Sequence, residues 1–234
     1  MQVIYDNIIF SLQKSGGISV VWSEMIKRFL RQKDINIRFL EANHKENNIF
    51  RKELNIPADQ VIELKYPFLY IQRYINPSIN IKGPFIFHSS YYRVCKNKHA
   101  INITTVHDFT YEYFIKGSKK KIHCLQKYQA IRNSDYIICI SENTKKDLLH
   151  FLPDIAENKI VVIPNGISED YRIIPQAKFS KNMPFKKNEY LLFVGSRDTY
   201  KNFNLVLEAV AASKFKLVIV GKPLNDEEKN MIVK

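Results

Sequence analysis

At 234 residues the chain has room for one large domain, or for one domain and part of a second. Its 45% hydrophobic and 25% charged residues are those of an ordinary globular protein, which excludes a disordered or fibrous chain. A formal net charge of +13 and a pI near 9.5 favour anionic partners such as phosphates, nucleic acid or an acidic membrane face, although solvated lysines alone produce the same surplus.

From the N-terminus, residues 1–10 read as a strand, followed by the loop Lys14-Ser-Gly-Gly-Ile18. Ile18, Val21, Trp22, Met25, Ile26, Phe29 and Leu30 then recur at helical spacing, with Ser19, Ser23, Glu24, Lys27 and Arg28 on the other side. This amphipathic helix starts directly after Gly16 and Gly17, where a bare backbone lets a ligand approach closely. A tight turn calls for glycine on steric grounds as well. Residues 35–40 read as the second strand. Regularity is lost between positions 41 and 83, where Tyr66, Phe68, Tyr70 and Tyr74 crowd around two prolines, Pro67 and Pro77. Such a stripe reads as packing, with an acceptor-facing or membrane-facing loop as the alternative.

Residues 85–88 and 102–106 are short buried strands that end in Ser89-Ser90-Tyr91-Tyr92-Arg93 and His107-Asp108-Phe109. In a parallel sheet those ends share one edge, and ligands bind there. Taken without context, His107 reads as a satisfied structural histidine and Asp108 as a residue that orients a turn. Residues 119–133 are basic and compatible with a helix, and 136–140 are another buried strand. Ser141 then caps a helix, with Glu142 at its positive end. Residues 159–163 form the last strand of this half, and Pro164-Asn165-Gly166 turns out of it.

Residues 168–188 carry prolines and lysines with little periodicity and read as a linker, which divides the chain into 1–167, 168–188 and 189–234. The continuous apolar run 190–194 is a buried strand ending at Gly195. A polar loop with Arg197, Lys201 and Asn202 follows, and then the apolar positions Phe203, Leu205, Val206, Leu207, Ala209 and Val210 of a helix. Strand, glycine turn and helix start bring backbone N–H groups and a positive dipole end beside two cations, a combination suited to a diphosphate. A solvated basic loop is the plainer reading. A further strand at 215–220 and a helical piece from Asp226 complete a segment too small to bury a core of its own.

Cys95, Cys124 and Cys139 show no CxxC or metal-ligand spacing and are expected to be reduced, intracellular thiols. The first ten residues do not form a secretory signal, and no apolar run approaches the ~20 residues of a membrane span. The expectation is a cytoplasmic protein, at most peripheral to the inner face of a membrane.

Several stretches resemble one family. VGSRDTYKN before an apolar helix is similar to the donor-binding loop of retaining GT-B glycosyltransferases of family 4. GGI opening the first helix, TTVHDFTYEYF, SDYIICISENTKKDL and PNGI resemble further segments of that family in the same order. Where many members carry an Arg soon after GGIS, this chain has Val20 and Val21. The resemblance implies an α/β GT-B protein, with a Rossmann-like N-terminal acceptor-side domain and the start of a second Rossmann-like, nucleotide-sugar-binding domain. Family members continue well beyond this length, through an ExxxxxxxE motif and a nucleobase pocket.

The implied reaction moves a sugar from a nucleotide-sugar (UDP- or GDP-linked) to an acceptor hydroxyl with retention. A glycan or lipid-linked acceptor in cell-surface polysaccharide or lipopolysaccharide synthesis is the expectation. The resemblance makes His107 the catalytic residue facing the transferred sugar. It assigns donor binding to Gly16, Gly17, Arg197, Lys201 and Asn202, and no metal or other cofactor, since the chain contains no DxD. Three alternatives stand beside it: a binding module or inactive remnant without a complete donor site, a sugar epimerase of similar build, and another nucleotide-binding or nucleic-acid-binding α/β protein. Scattered lysines and the lack of RNP, KH or zinc-knuckle patterns speak against nucleic acid.

Overall fold

The computed structural model describes residues 1–32, 34–42, 47–65, 71–173, 186 and 188–233. Tyr66, Phe68 and Tyr70 of the aromatic stripe, and most of the expected linker, lie outside the described residues. The chain divides into two compact units, Met1–Glu169 and Asp170–Lys234.

The first unit is built on a seven-stranded sheet, wholly parallel, in the order β3-β2-β1-β4-β5-β6-β7. Its strands are β1 (Gln2–Asp6), β2 (Asn36–Ala42), β3 (Val61–Leu64), β4 (Phe85–Ser89), β5 (Ala100–Val106), β6 (Tyr136–Cys139) and β7 (Ile160–Val162). The order reverses direction between β1 and β4, the place where parallel sheets of this kind open a crevice. This is an α/β, Rossmann-like layer, as the alternation of apolar runs and helices implies.

The first expected strand is shorter than the apolar run suggests. β1 ends at Asp6, and Ile8–Leu12 turns into a helix, α1, whose Ile8, Ile9 and Phe10 are buried. A short buried helix and a buried strand share an uninterrupted apolar pattern, so the boundary is invisible to periodicity. α2 (Gly17–Phe29) follows, then α3 (Ile49–Lys52), α4 (Thr110–Phe114), α5 (Gly117–Arg132) and α6 (Glu142–Phe151). Ser141 caps α6 as expected, accepting the Thr144 N–H at 3.1 Å.

Ser19 and Ser23 of α2, placed by pattern on the outer side, are buried. Each hydroxyl donates to a carbonyl three residues back, of Gly16 and Val20, at 2.9 Å, which removes the cost of burying it. Trp22 and Ile26 pack with Val3, Tyr5, Ile37 and Phe39 on one face of the sheet. On the other face, β5 and β6 meet α5 and α6 through Val106, Ile137, Cys139, Ile131, Leu148 and Leu152. The face under α2 is covered only as far as β4, and Tyr136, Val161 and Ile163 beyond it are about half exposed.

The second unit contains β8 (Tyr190–Val194), α7 (Phe203–Ala211), β9 (Lys216–Val220) and α8 (Asp226–Val233). β8 and β9 pair in parallel as a two-stranded sheet. Phe203 packs edge-on against Phe193 with ring centroids 5.0 Å apart, and α7 anchors on the strands through that contact. All three cysteines are free thiols. No described helix is long and apolar enough to cross a membrane.

Candidate functional site

At the carboxyl edge of the first unit's sheet, buried polar groups hold the strand ends together. Asp6 closes β1 and pairs with Arg93, both fully buried. Arg93 Nε donates to Asp6 Oδ2 at 2.8 Å, and the Ser89 hydroxyl at the end of β4 donates to the same oxygen at 2.7 Å. The arginine also donates to the Gln72 carbonyl at 3.1 Å. A second chain of bonds runs from Trp22 Nε1 to Asn7 Oδ1 (2.8 Å) and from Asn7 Nδ2 to Glu41 (3.0 Å), which pairs with Arg51. Burying ions is unfavourable unless each is paired and hydrogen-bonded, and here each is. The result is a fixed rim.

Beside that rim a groove of about 450 Å³ opens between α2 and the sheet. Ile18, Val21, Met25 and Phe29 of α2 supply one wall; Tyr5, Ile86, Ile103 and Ile138 supply the other. Into this apolar trough project His88, Thr105 and His107, with Glu24 and Arg28 on the helix side and Asn165 and Gly166 at its end. The Arg28 guanidinium bonds Glu24 at 2.9 Å and the Ile167 carbonyl at 3.4 Å, so the groove's charged pair is internally balanced.

The two histidines differ. His88 lies edge-on to Trp22, with ring centroids 5.0 Å apart, and its Nε2 is 2.8 Å from Thr105 Oγ1. Burial, with His107 nearby as a smaller cause, pushes its pKa down to about 4. His107 is also held below the usual imidazole value by burial, against an opposing pull from Asp108. Both rings are therefore neutral at pH 7. The His107 ring makes no hydrogen bond among the described residues, which leaves one nitrogen free to donate and one to accept.

The turn that carries His107 is secured from behind. Asp108 Oδ1 accepts the Thr110 N–H at 3.0 Å, an orienting role. Lys127 of α5, fully buried, donates to the Asp108 carbonyl at 3.0 Å and lies 4.0 Å from the Phe109 ring centroid. Its charge is met by Glu112, 2.6 Å away and equally buried. Burial lowers the lysine's pKa, and Glu112 opposes that shift.

Gly16 and Gly17 begin α2, whose first turn has no side-chain cap and no acidic residue. Its N–H groups and positive dipole end are available to an anion, and Ile18 in the same turn lines the groove.

In the second unit, Gly195 ends β8 with φ +121°, a conformation that favours glycine. A side chain at Gly221 would meet the Gly195 carbonyl oxygen at 2.6 Å, so the two strand ends approach each other as bare backbone. Between them, Arg197 does not stand free. Its Nε donates to Glu228 at 2.7 Å and one terminal nitrogen donates to the Pro223 carbonyl at 2.8 Å, and the side chain is nearly buried. Lys201 is exposed, lies 5.0 Å from the Tyr200 ring centroid, and has no carboxylate partner among the described residues. Asn202 adopts the left-handed conformation (φ 53°) and starts α7, again without a side-chain cap or an acid in its first turn.

Residues 15–171 match the family described as Glycosyltransferase Family 4. The chain belongs to that family. Among solved structures the chain matches a mutant of S. aureus TarM in complex with fondaparinux, alpha-GlcNAc-glycerol and UDP, at 15% identity and a TM-score of 0.45. The match covers 70% of the present chain and 32% of that one, so the chain spans about a third of that protein's length. A search of curated proteins finds no match.

The matched segment of this family 4 chain contains Gly16, Gly17 and His107, whereas Arg197, Lys201 and Asn202 lie beyond it. The structure sets His107 in the same groove as α2's first turns, and Arg197, Lys201 and Asn202 on one loop of the second unit. Sequence reading missed His88, Arg28 and Lys127. His88 sits inside an apolar strand and Arg28 on a polar helical position. Lys127 is one lysine in a basic segment, and only the fold brings Glu112 and the Asp108 carbonyl to it.

Proposed function

We propose that the protein transfers a sugar from a nucleotide-sugar to an acceptor hydroxyl with retention, and that His107 positions the transferred sugar. The observation that carries this reading is His107 itself: a neutral imidazole at the end of β5, with both nitrogens uncommitted, in a groove that also receives the open start of α2. Cleaving a sugar–phosphate bond builds negative charge on the departing diphosphate and positive charge on the ring. A neutral imidazole can bond a sugar hydroxyl without repelling that positive charge, and it holds the ring in its reactive pose.

In this reading the N–H groups of Gly17 and its neighbours favour an anion by dipole and hydrogen bond. The loop after β8 binds the nucleotide's diphosphate, with Lys201 as its mobile charge and Asn202 fixing the helix start. Arg197 contributes only by sharing or exchanging Glu228. Side-chain cations, rather than a metal, compensate the leaving group. The acceptor is a glycan or lipid-linked hydroxyl, and the basic surface suits work at an anionic membrane face on the cytoplasmic side.

The test is binding of UDP and of GDP to the whole chain, followed by sugar transfer from the matching nucleotide-sugars to glycan acceptors. We expect selective, saturable binding of one nucleotide, and a fall in transfer of about a hundredfold in His107→Ala with nucleotide binding kept. Binding of neither nucleotide, together with salt-sensitive binding of DNA, would replace this reading with a nucleic-acid one.

A further inference from the structure

We propose that a second cavity in the first unit, separate from the His107 groove, binds a neutral saccharide. It has a volume of about 490 Å³ and lies between the C-terminal half of α5 and the chain segments around positions 74–76 and 92–96. Asn102, near the start of β5, is part of its lining and belongs to the sheet face opposite His107. Five strand positions separate the two residues, roughly 16 Å along the sheet. No residue lines both cavities.

The lining is rich in amides whose bonding is half complete. Gln126 donates its NH₂ to the Arg73 carbonyl at 2.5 Å and the Tyr92 carbonyl at 3.2 Å, while its Oε1 is buried with no partner. Asn76 Oδ1 accepts the Val94 N–H at 3.1 Å, and its NH₂ makes no bond among the described residues. Asn133 donates to the Gln129 carbonyl at 2.7 Å and keeps its own oxygen open. The Gln129 amide and the Lys96 ammonium are exposed, and neither has a partner among the described residues. The half-exposed ring of Tyr74 adds an apolar plate.

This chemistry selects one class of ligand. An apolar molecule would cover the Asn76 NH₂ and the Asn133 oxygen without bonding either, and a covered polar group without a partner is costly. An anion would be met by donors alone, yet Asn133 presents an acceptor, and Lys96 is the single charge in the lining. A sugar hydroxyl both donates and accepts, neighbouring hydroxyls match an amide's paired groups, and the C–H face of a pyranose suits a tyrosine ring. A pocket of a few hundred Å³ with a few convergent polar groups holds one or two such rings. The site adds a holding point for a glycan away from the site of transfer, and it does not depend on His107.

The experiment is an NMR titration of the isotope-labelled whole chain with three probes: the β-1,4-linked N-acetylglucosamine tetrasaccharide, the α-1,4-linked glucose tetrasaccharide and inorganic phosphate. We expect at least one tetrasaccharide to give saturable shifts of the Gln126, Gln129 and Asn133 side-chain amides, with phosphate giving none there. The pair Tyr74→Ala and Gln129→Ala changes exposed positions only, keeps the remaining spectrum, and weakens that binding at least tenfold. His107→Ala leaves it unchanged, so loss of transfer and loss of this site are read separately. Shifts with neither sugar, shifts confined to the His107 groove, or tighter binding of phosphate than of either sugar would each overturn the proposal.

Discussion

The two units of this chain use the same local grammar, strand then turn then helix, and reach different degrees of completion. In the first, Ile4, Phe39, Phe85 and Phe87 have no exposure at all. Seven strands pair in register across the sheet, and ion pairs brace its edge from inside. In the second, two strands carry Leu192, Val194 and Val220, each more than half exposed, and Phe203 is the one residue among those described there that reaches full burial. A two-stranded sheet is marginal by itself. The lesson concerns preorganisation: His107 is held on a rigid frame, whereas Lys201 and Asn202 sit on a frame with little buried area behind it.

The sharpest way to test the rigid side is to remove Lys127. Lys127→Met leaves Glu112 buried and unpaired and should cost the first unit about 3–5 kcal/mol in denaturant unfolding. Adding Glu112→Leu should restore much of the loss, because a buried pair replaced by apolar groups is nearly neutral. A small loss in the single variant would mean that the frame behind His107 tolerates rearrangement, and the contrast between the units would weaken.

Amide hydrogen exchange compares the units directly. Amides of β8 and β9 should exchange about a hundredfold or more faster than those of β1, β4 and β5, a gap of roughly 3 kcal/mol in local opening. Equal protection would show that the second unit is stabilised by more than its own visible contacts.

Acid offers a third probe, specific to the first unit. The His88 pKa is depressed from 6.5 to about 4 in the folded state, so the unfolded chain binds the extra proton between those values. Stability from this group is complete above about pH 6.5 and is lost as pH falls toward about 4, by roughly 2–3 kcal/mol at about pH 4.5. His88→Gln should flatten that part of the stability profile. An unchanged profile would mean that His88 is not the group responsible.

The smallest effect is expected on the second unit's loop. Lys201→Ala should weaken binding of the preferred nucleoside diphosphate about tenfold with no change in the unfolding of the first unit. Arg197→Ala should weaken it less directly, while also destabilising the loop through the loss of Glu228's partner. A larger effect on affinity from Arg197 alone would show that the Glu228 pair opens to receive the phosphate.

Much of this architecture was legible because strands of a parallel sheet are continuous apolar runs, and β4, β5, β6, β8 and β9 announce themselves that way. β8, expected to be buried, carries no buried residue, because the two-stranded sheet has too little packed against it. β3 did not, being four residues at the sheet edge with no fully buried position. The seam between β1 and α1 was hidden within one apolar stretch. Within the candidate site, His107 stood out only through the resemblance of TTVHDFTYEYF to a family segment, since by itself it read as a structural histidine. His88, Arg93 and Lys127 acquire meaning only from partners far along the chain: Asp6 lies 87 positions from Arg93, and no local pattern encodes that pairing. Arg197 is the converse case, a residue whose neighbours suggested a free cation until the fold supplied Glu228.

The strand order has a consequence for synthesis on the ribosome. β1 is made first but occupies an interior place, and its two neighbours are β2 and β4. Translation must reach Ser89 before both sides of β1 can be paired, which at usual rates takes roughly 4–17 seconds after Asp6 has been added. During that interval a strand of the sequence QVIYD, with apolar side chains on both faces, stays open on one edge. The nascent chain is then at its most adhesive, and the quality of the finished site depends on how that exposed strand is sheltered while its partner is still being made.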